Sequence, residues 1–98
     1  MIVAKVSELS EGAKKEVQVG GKAILLIRSG GSYFAIDARC PHRKLPLSKG
    51  TVDGTIITCA FHGSKFNIAD GGVVGGPATE PLATYPVHVQ GDDIDIEA

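Results

Sequence analysis

Residues 16–36 read EVQVGGKAILLIRSGGSYFAI, and this stretch decides the fold class. Val17 and Val19 alternate with Glu16 and Gln18, the period of a half-buried strand. Gly20-Gly21 separates that segment from the apolar run Ala23 to Ile27, and Gly30-Gly31 separates the run from Tyr33-Phe34-Ala35-Ile36. Two-residue Gly-Gly links accept the positive φ angles that tight hairpins demand, so both pairs are read as β-hairpin turns.

The same alternation returns near the end of the chain. Val87 and Val89 alternate with His88 and Gln90, Gly91-Asp92 makes a turn, and Ile94 and Ile96 alternate with Asp93, Asp95 and Glu97. Between Val6 and Lys15 only one helical turn is expected, around Ser7 to Leu9, because Gly12 interrupts the segment. The sequence therefore predicts an all-β architecture of short antiparallel strands, as a sandwich or partly closed barrel.

The chain has 98 residues, enough for one domain, 1–98, and too few for two cores. A chain this short gains from a metal or a cross-link. Ten basic against eleven acidic residues give a formal charge of −1, which excludes the strong basic excess a nucleic-acid binder needs. The start, Met1 to Leu9, lacks a basic segment followed by an apolar run, so no signal peptide is expected. Ala23 to Ile27 is the longest apolar run and far too short to span a membrane. The expected location is the cytoplasm, where reducing conditions disfavour a disulfide between the two cysteines.

Residues 38–81 differ in character from the rest. Prolines and glycines punctuate them, and Asp53-Gly54 and Asp70-Gly71 read as hairpin turns beside the short runs Thr55 to Cys59 and Lys65 to Ile68. This is a loop-rich subdomain mounted on a β base formed by 1–37 and 82–98, and loops on a rigid scaffold are where binding chemistry sits. It carries two short motifs, Cys40-Pro41-His42 and Cys59-Ala60-Phe61-His62, separated by sixteen residues. Two thiolates and two imidazoles are four soft or borderline ligands for a transition metal. Pro41 stiffens the first loop, and Gly63 lets the second turn directly after its histidine. A structural zinc finger pairs cysteine with cysteine and histidine with histidine, whereas each pair here is mixed. A mononuclear zinc site could still be built from mixed pairs, so ligand composition alone leaves the metal open.

C-x-H, sixteen residues, then C-x-x-H resembles the signature of Rieske iron–sulfur proteins. His62-Gly63-Ser64-Lys65-Phe66 is similar to the family's H-G-x-x-F segment. Gly76-Pro77-Ala78-Thr79-Glu80-Pro81-Leu82 resembles its cluster-covering proline loop, and Tyr85-Pro86-Val87 the strand after it. The likeness covers nearly the whole chain, and the size resembles that of free-standing Rieske ferredoxins of ring-hydroxylating dioxygenase systems. It implies three antiparallel sheets and one [2Fe–2S] cluster, with Cys40 and Cys59 on one iron and His42 and His62 on the other. It also implies a one-electron carrier with no substrate chemistry of its own, taking electrons from a reductase and passing them to an oxygenase-type component. A monomer is expected. The rival readings are a zinc-binding interaction module and a Rieske-like small subunit of a nitrite-reductase-type complex.

With this ligand set two ferric ions, two sulfides and two thiolates cancel in charge, and neutral imidazoles add none. Reduction therefore starts from a neutral centre, which raises the potential to roughly −150 to +300 mV, against about −400 mV for plant-type ferredoxins. High-potential members of the family add a disulfide between the loops, at positions matching Leu45 and Phe61 here, and a tyrosine hydroxyl where this chain has Phe66. Ser64 keeps the serine donor, so the potential is expected in the lower half of the range. Arg39, Arg43, Lys44, Lys49 and Lys65 surround the motifs. They form either solvated loop charge or a positive rim that steers an acidic partner. His88 is expected on the surface, Tyr33, Phe34 and Tyr85 in the core or an interface, and the glycines of 71–76 in turns rather than a nucleotide loop. A cysteine nucleophile is disfavoured because no third orienting group accompanies either Cys–His pair.

Overall fold

The run Ile24-Leu25-Leu26-Ile27 has no polar residue because both of its faces are covered. In the computed structural model, which describes residues 2–39, 46–60, 63–76 and 80–97, it lies in β3 (Lys22–Ser29), between β2 (Lys14–Val19) and β4 (Ser32–Asp37). With β9 (Thr84–Tyr85) on the far side of β4, these make a central four-stranded antiparallel sheet. Val19 pairs with Lys22 across Gly20-Gly21, whose φ angles of 58° and 81° are those of a type I′ hairpin. Gly30-Gly31 makes the equivalent link between Ser29 and Ser32.

Two cores lie on opposite faces of this sheet. Ile24 and Leu26 point into one, with Val17, Val19 and Ala35 and with Ala4, Ile94 and Ile96 of a second sheet. That sheet has the order β1 (Ile2–Lys5), β11 (Asp93–Ile96), β10 (Val87–Gln90). Leu25 and Ile27 point into the other core, with Ile36, Ala38, Leu47, Ile57, Cys59, Phe66, Ile68 and Leu82. The third sheet forms its far wall, in the order β5 (Thr51–Asp53), β6 (Ile56–Thr58), β7 (Lys65–Asn67), β8 (Val73–Gly75). All three sheets are antiparallel, which is the all-β arrangement the sequence predicts.

Several boundaries differ from the sequence reading. The helical turn is a short 3₁₀ segment at Val6–Glu8, one residue early. Asp53 pairs with Ile56, so the turn residues are Gly54-Thr55 rather than Asp53-Gly54. The β7–β8 connection is longer than a two-residue hairpin: Asn67 Oδ1 accepts the Ala69 N–H at 2.9 Å and Asp70 Oδ1 accepts that of Gly72 at 2.8 Å. Val73–Gly75, read as glycine-rich turn, is a strand. Val89 is 47% exposed although it alternates correctly, because β10 is the edge of its sheet.

The base sheet is stitched by charge. Lys5 bonds Asp93, whose hydrogen bond and charge raise the ammonium above its ordinary range. Asp92 accepts the Ser7 N–H at 3.0 Å, and Glu8 accepts from Lys15 at 3.2 Å. His88 is exposed, as expected, 3.5 Å from Glu97.

Candidate metal centre

The third sheet and the end of β4 deliver the two cysteine–histidine motifs. β6 runs Ile56-Ile57-Thr58 directly into Cys59, and β7 leaves from Lys65, so the second motif spans the link between paired strands. The Cys59 N–H donates to the Ser64 carbonyl at 2.8 Å, and the Gly63 N–H donates back to the Cys59 carbonyl at 3.1 Å. This closes the loop and fixes where the Cys59 side chain projects. Cys59 is 1% exposed, packed among apolar residues, and is not in a disulfide. Ser64 is the one fully buried polar side chain among the described residues.

The first motif follows β4. Ala38 is buried; its N–H donates to Ala23 at 3.0 Å, and its carbonyl accepts from Leu47 at 2.8 Å. Arg39 bridges to Pro46, which clamps the neck of the loop between them. Cys40, His42, Arg43, Lys44 and Leu45 lie outside the described residues, as do Phe61 and His62. Of the four expected ligands, the structure therefore places Cys59.

A third segment approaches from β8. Gly76 has φ of 86°, and a Cβ there would sit 2.7 Å from the Gly63 carbonyl oxygen and 2.8 Å from the Ser64 nitrogen, with the Ser64 Cα closer still. Gly76, where the proline-loop segment starts, therefore lies backbone to backbone against Gly63 and Ser64, directly after the second motif, a contact only glycine permits; Pro77, Ala78 and Thr79 of that segment lie outside the described residues. Sequence reading placed Gly76 in a loop and missed this contact, although its position immediately before Pro77 was the available signal.

The residues present fit a cluster. A soft sulfur donor is held by a closed backbone loop, out of water, with the buried Ser64 bonded to the Cys59 N–H through the backbone and Gly76 packed against that loop's end. Phe66 is fully buried and has no hydroxyl to offer. Of the expected positive rim, Lys49 is exposed, Lys65 donates to Thr58 Oγ1 at 3.1 Å, and Arg39 lies 3.9 Å from Glu16.

Sequence reading also missed a polar pair at the neck of the first loop. The Tyr85 hydroxyl donates to Asp37 Oδ1 at 2.6 Å, and the Lys22 ammonium lies 5.6 Å from the centre of the Tyr85 ring. Burial, reinforced by the Asp37 bond and charge, pushes the Tyr85 phenol up to about 12, so it stays a proton donor.

Comparison with known proteins agrees with this geometry. The family model of the Rieske [2Fe-2S] domain matches residues 1–86. The chain is 37% identical over 93 residues to the 3-phenylpropionate/cinnamic acid dioxygenase ferredoxin subunit of Shigella flexneri serotype 5b, covering 94% of this chain and 87% of that protein. It superposes on the ferredoxin of Sphingomonas yanoikuyae B1 with a TM-score of 0.92 and 31% identity, over 100% of this chain and 97% of the other. A chain from the complex of reduced oxygenase and oxidized ferredoxin in carbazole 1,9a-dioxygenase gives 0.93 and 32%, over 99% and 100%. These matches decide between zinc and a two-iron cluster, which ligand composition had left open. The chain belongs to the Rieske [2Fe-2S] family, carries one such cluster and is of the ferredoxin type.

Proposed function

We propose that Cys40 and Cys59 hold one iron of the cluster and His42 and His62 the other, in a single domain whose residues 38–81 form the cluster-binding part on a base of 1–37 and 82–98. The observation that carries this is Cys59, 1% exposed in a backbone-closed loop, with Gly76 packed against the backbone at the end of that loop. When bound, the cluster takes up and gives back one electron at a time.

The rest is done by the chain. The 59–64 loop holds the thiolate at a fixed point, and the apolar shell of Leu47, Ile57 and Phe66 keeps water from it. The neck between Ala38 and Leu47 holds the ends of the first loop together. Lys49 and Lys65 present positive charge on the cluster-bearing side, suited to an acidic partner surface. The chain acts as a cytoplasmic monomer, accepts electrons from a reductase and delivers them to an oxygenase-type component, with no bond chemistry of its own. No helix among the described residues is long and apolar enough to cross a membrane.

The test is metal and sulfide analysis of the protein and of Cys40→Ser, His42→Ala, Cys59→Ser and His62→Ala. Purified wild type is red-brown with about two irons and two acid-labile sulfides per chain, the composition of one [2Fe–2S] centre. Each variant loses that colour or its Rieske-type paramagnetic signal. A variant with unchanged iron, sulfide and signal removes its residue from the ligand set. Rapid mixing of reduced protein with a terminal oxygenase tests the carrier role, and absence of electron transfer refutes it.

A further inference from the structure

Asp37 ends β4 and stands three residues before Cys40, so at most about 11 Å of extended chain separates them. Its side chain turns away from the core that contains Ala38 and Cys59 and toward β9, where Tyr85 donates to it at 2.6 Å. Lys22, exposed at the start of β3, places its ammonium over the same ring. β9 is the strand that follows the proline-loop segment, and the Asp37 N–H donates to the Ala83 carbonyl at 3.0 Å just before it. Three side chains from three strands thus meet where the first ligand loop leaves the sheet and the proline-loop segment returns to it.

We propose that Tyr85 and Lys22 are positioning and screening residues that offset the Asp37 carboxylate, and that this trio sets how readily the cluster accepts its electron. The inference rests on the ligand assignment proposed above. Reduction makes the centre more negative, so a bare carboxylate near the first ligand loop opposes it and a compensated one opposes it less. The hydroxyl spreads the carboxylate's charge through a short hydrogen bond, and the ammonium adds an opposite charge to the same unit. A purely architectural role, with the bond merely pinning β9 to β4, would weaken folding whichever partner was removed. Charge compensation instead moves the redox equilibrium in opposite directions for the two sides of the pair.

The experiment equilibrates the cluster-loaded protein with a one-electron mediator of fixed potential and reads the reduced-to-oxidised ratio from visible absorbance. Asp37→Asn raises that ratio, by about twofold to about fifteenfold if the charge acts over about 10 Å, the span Coulomb's law gives at effective dielectric constants of about 80 and 20. Tyr85→Phe and Lys22→Met lower it, and Tyr85→Phe has no further effect in the Asp37→Asn background. Lys22 is a surface side chain, so Lys22→Met provides the test if the Asp37 variant does not fold. An unchanged or lowered ratio in Asp37→Asn, an unchanged ratio in Lys22→Met, or an undiminished Tyr85→Phe effect without Asp37 overturns the proposal. Loss of the proposed ligands is separable: it would appear as missing iron and sulfide in wild type, whereas failure of the trio leaves a loaded cluster with an unmoved ratio.

Discussion

Replacing Gly76 with alanine puts a methyl group where the Gly63 oxygen and Ser64 nitrogen lie at 2.7 and 2.8 Å. The nearest atom, the Ser64 Cα, lies closer still and ordinary contact needs about 3.5 Å, so the two segments must part by about 1 Å. All the atoms concerned are backbone, and no rotamer relieves them. The Gly63 N–H to Cys59 carbonyl bond is already 3.1 Å, and stretching it by that amount takes it beyond hydrogen-bond range. One or two such bonds at about 1 kcal/mol each, plus about 1–2 kcal/mol for alanine at positive φ, give about 2–4 kcal/mol. The control is Gly91→Ala, where φ is 62° but nothing lies within 4 Å of the added carbon, so only the conformational cost of about 1–2 kcal/mol applies. At about 4–8 °C per kcal/mol for a domain this size, Gly76→Ala melts about 8–32 °C below wild type and Gly91→Ala about 4–16 °C below. Loss of visible absorbance on heating, together with the half-life of the cluster at fixed temperature, measures both effects. If the two variants melt together and keep the cluster equally long, the close approach of Gly76 to Gly63 and Ser64 is not what holds the site.

Three further expectations concern pH and salt. Tyr85 has a folded-state pKa raised to about 12 from an unfolded value near 10, so above pH 10 the unfolded chain releases its proton first; this part of the stability is full below pH 10 and falls away toward 12, and Tyr85→Phe flattens that alkaline limb in denaturant titrations. The Gly30 and Gly31 N–H groups donate to Glu11 at 2.6 and 3.0 Å and hold its carboxyl below the usual range. Its contribution is present above the ordinary carboxylate pKa and lost on acidification, and Glu11→Gln removes that acid dependence. Electron transfer to an acidic partner slows by about tenfold or more between low and physiological salt if Lys49 and Lys65 steer the encounter, and a salt-independent rate reduces them to solvated loop charge.

Local pattern made the central sheet legible, because an uninterrupted apolar strand between two glycine pairs has few alternatives. The same was true of the cysteine–histidine spacing, which is a property of neighbouring residues. What depended on distant partners was not readable. β8 is held by pairing Lys65 with Gly75 and Phe66 with Val73, and its glycine-rich neighbourhood hides the strand from any local propensity. Tyr85 reaches Asp37 across 48 positions, so nothing near either residue announces the bond. Val89 has the alternation of a core residue but sits on an edge strand, and which strand is the edge is a fact of topology. Gly76 could be read as a turn glycine, but the backbone it touches could not.

Leu25 and Leu26 are neighbours on β3, both with 0% exposure, yet they serve different cores. Leu25 shares its core with Cys59, Phe66 and the neck residues Ala38 and Leu47, whereas Leu26 shares its own with Ile94 and Ile96 of the base sheet. Truncating either to alanine removes the same atoms from the same depth and costs about 2–5 kcal/mol. Only the cavity behind Leu25 lies in the core that holds Cys59, the proposed ligand, and the neck of the first loop, so only Leu25→Ala broadens the cluster's paramagnetic signal and shortens its half-life. A one-electron carrier benefits from holding its centre in one geometry through both charge states, and this core supplies the rigidity by close packing. The comparison cancels residue type, burial and secondary structure, leaving the face of the sheet as the variable. Equal effects of the two truncations on the signal would mean that the cluster senses global stability alone, and that the division into two cores has no bearing on the site.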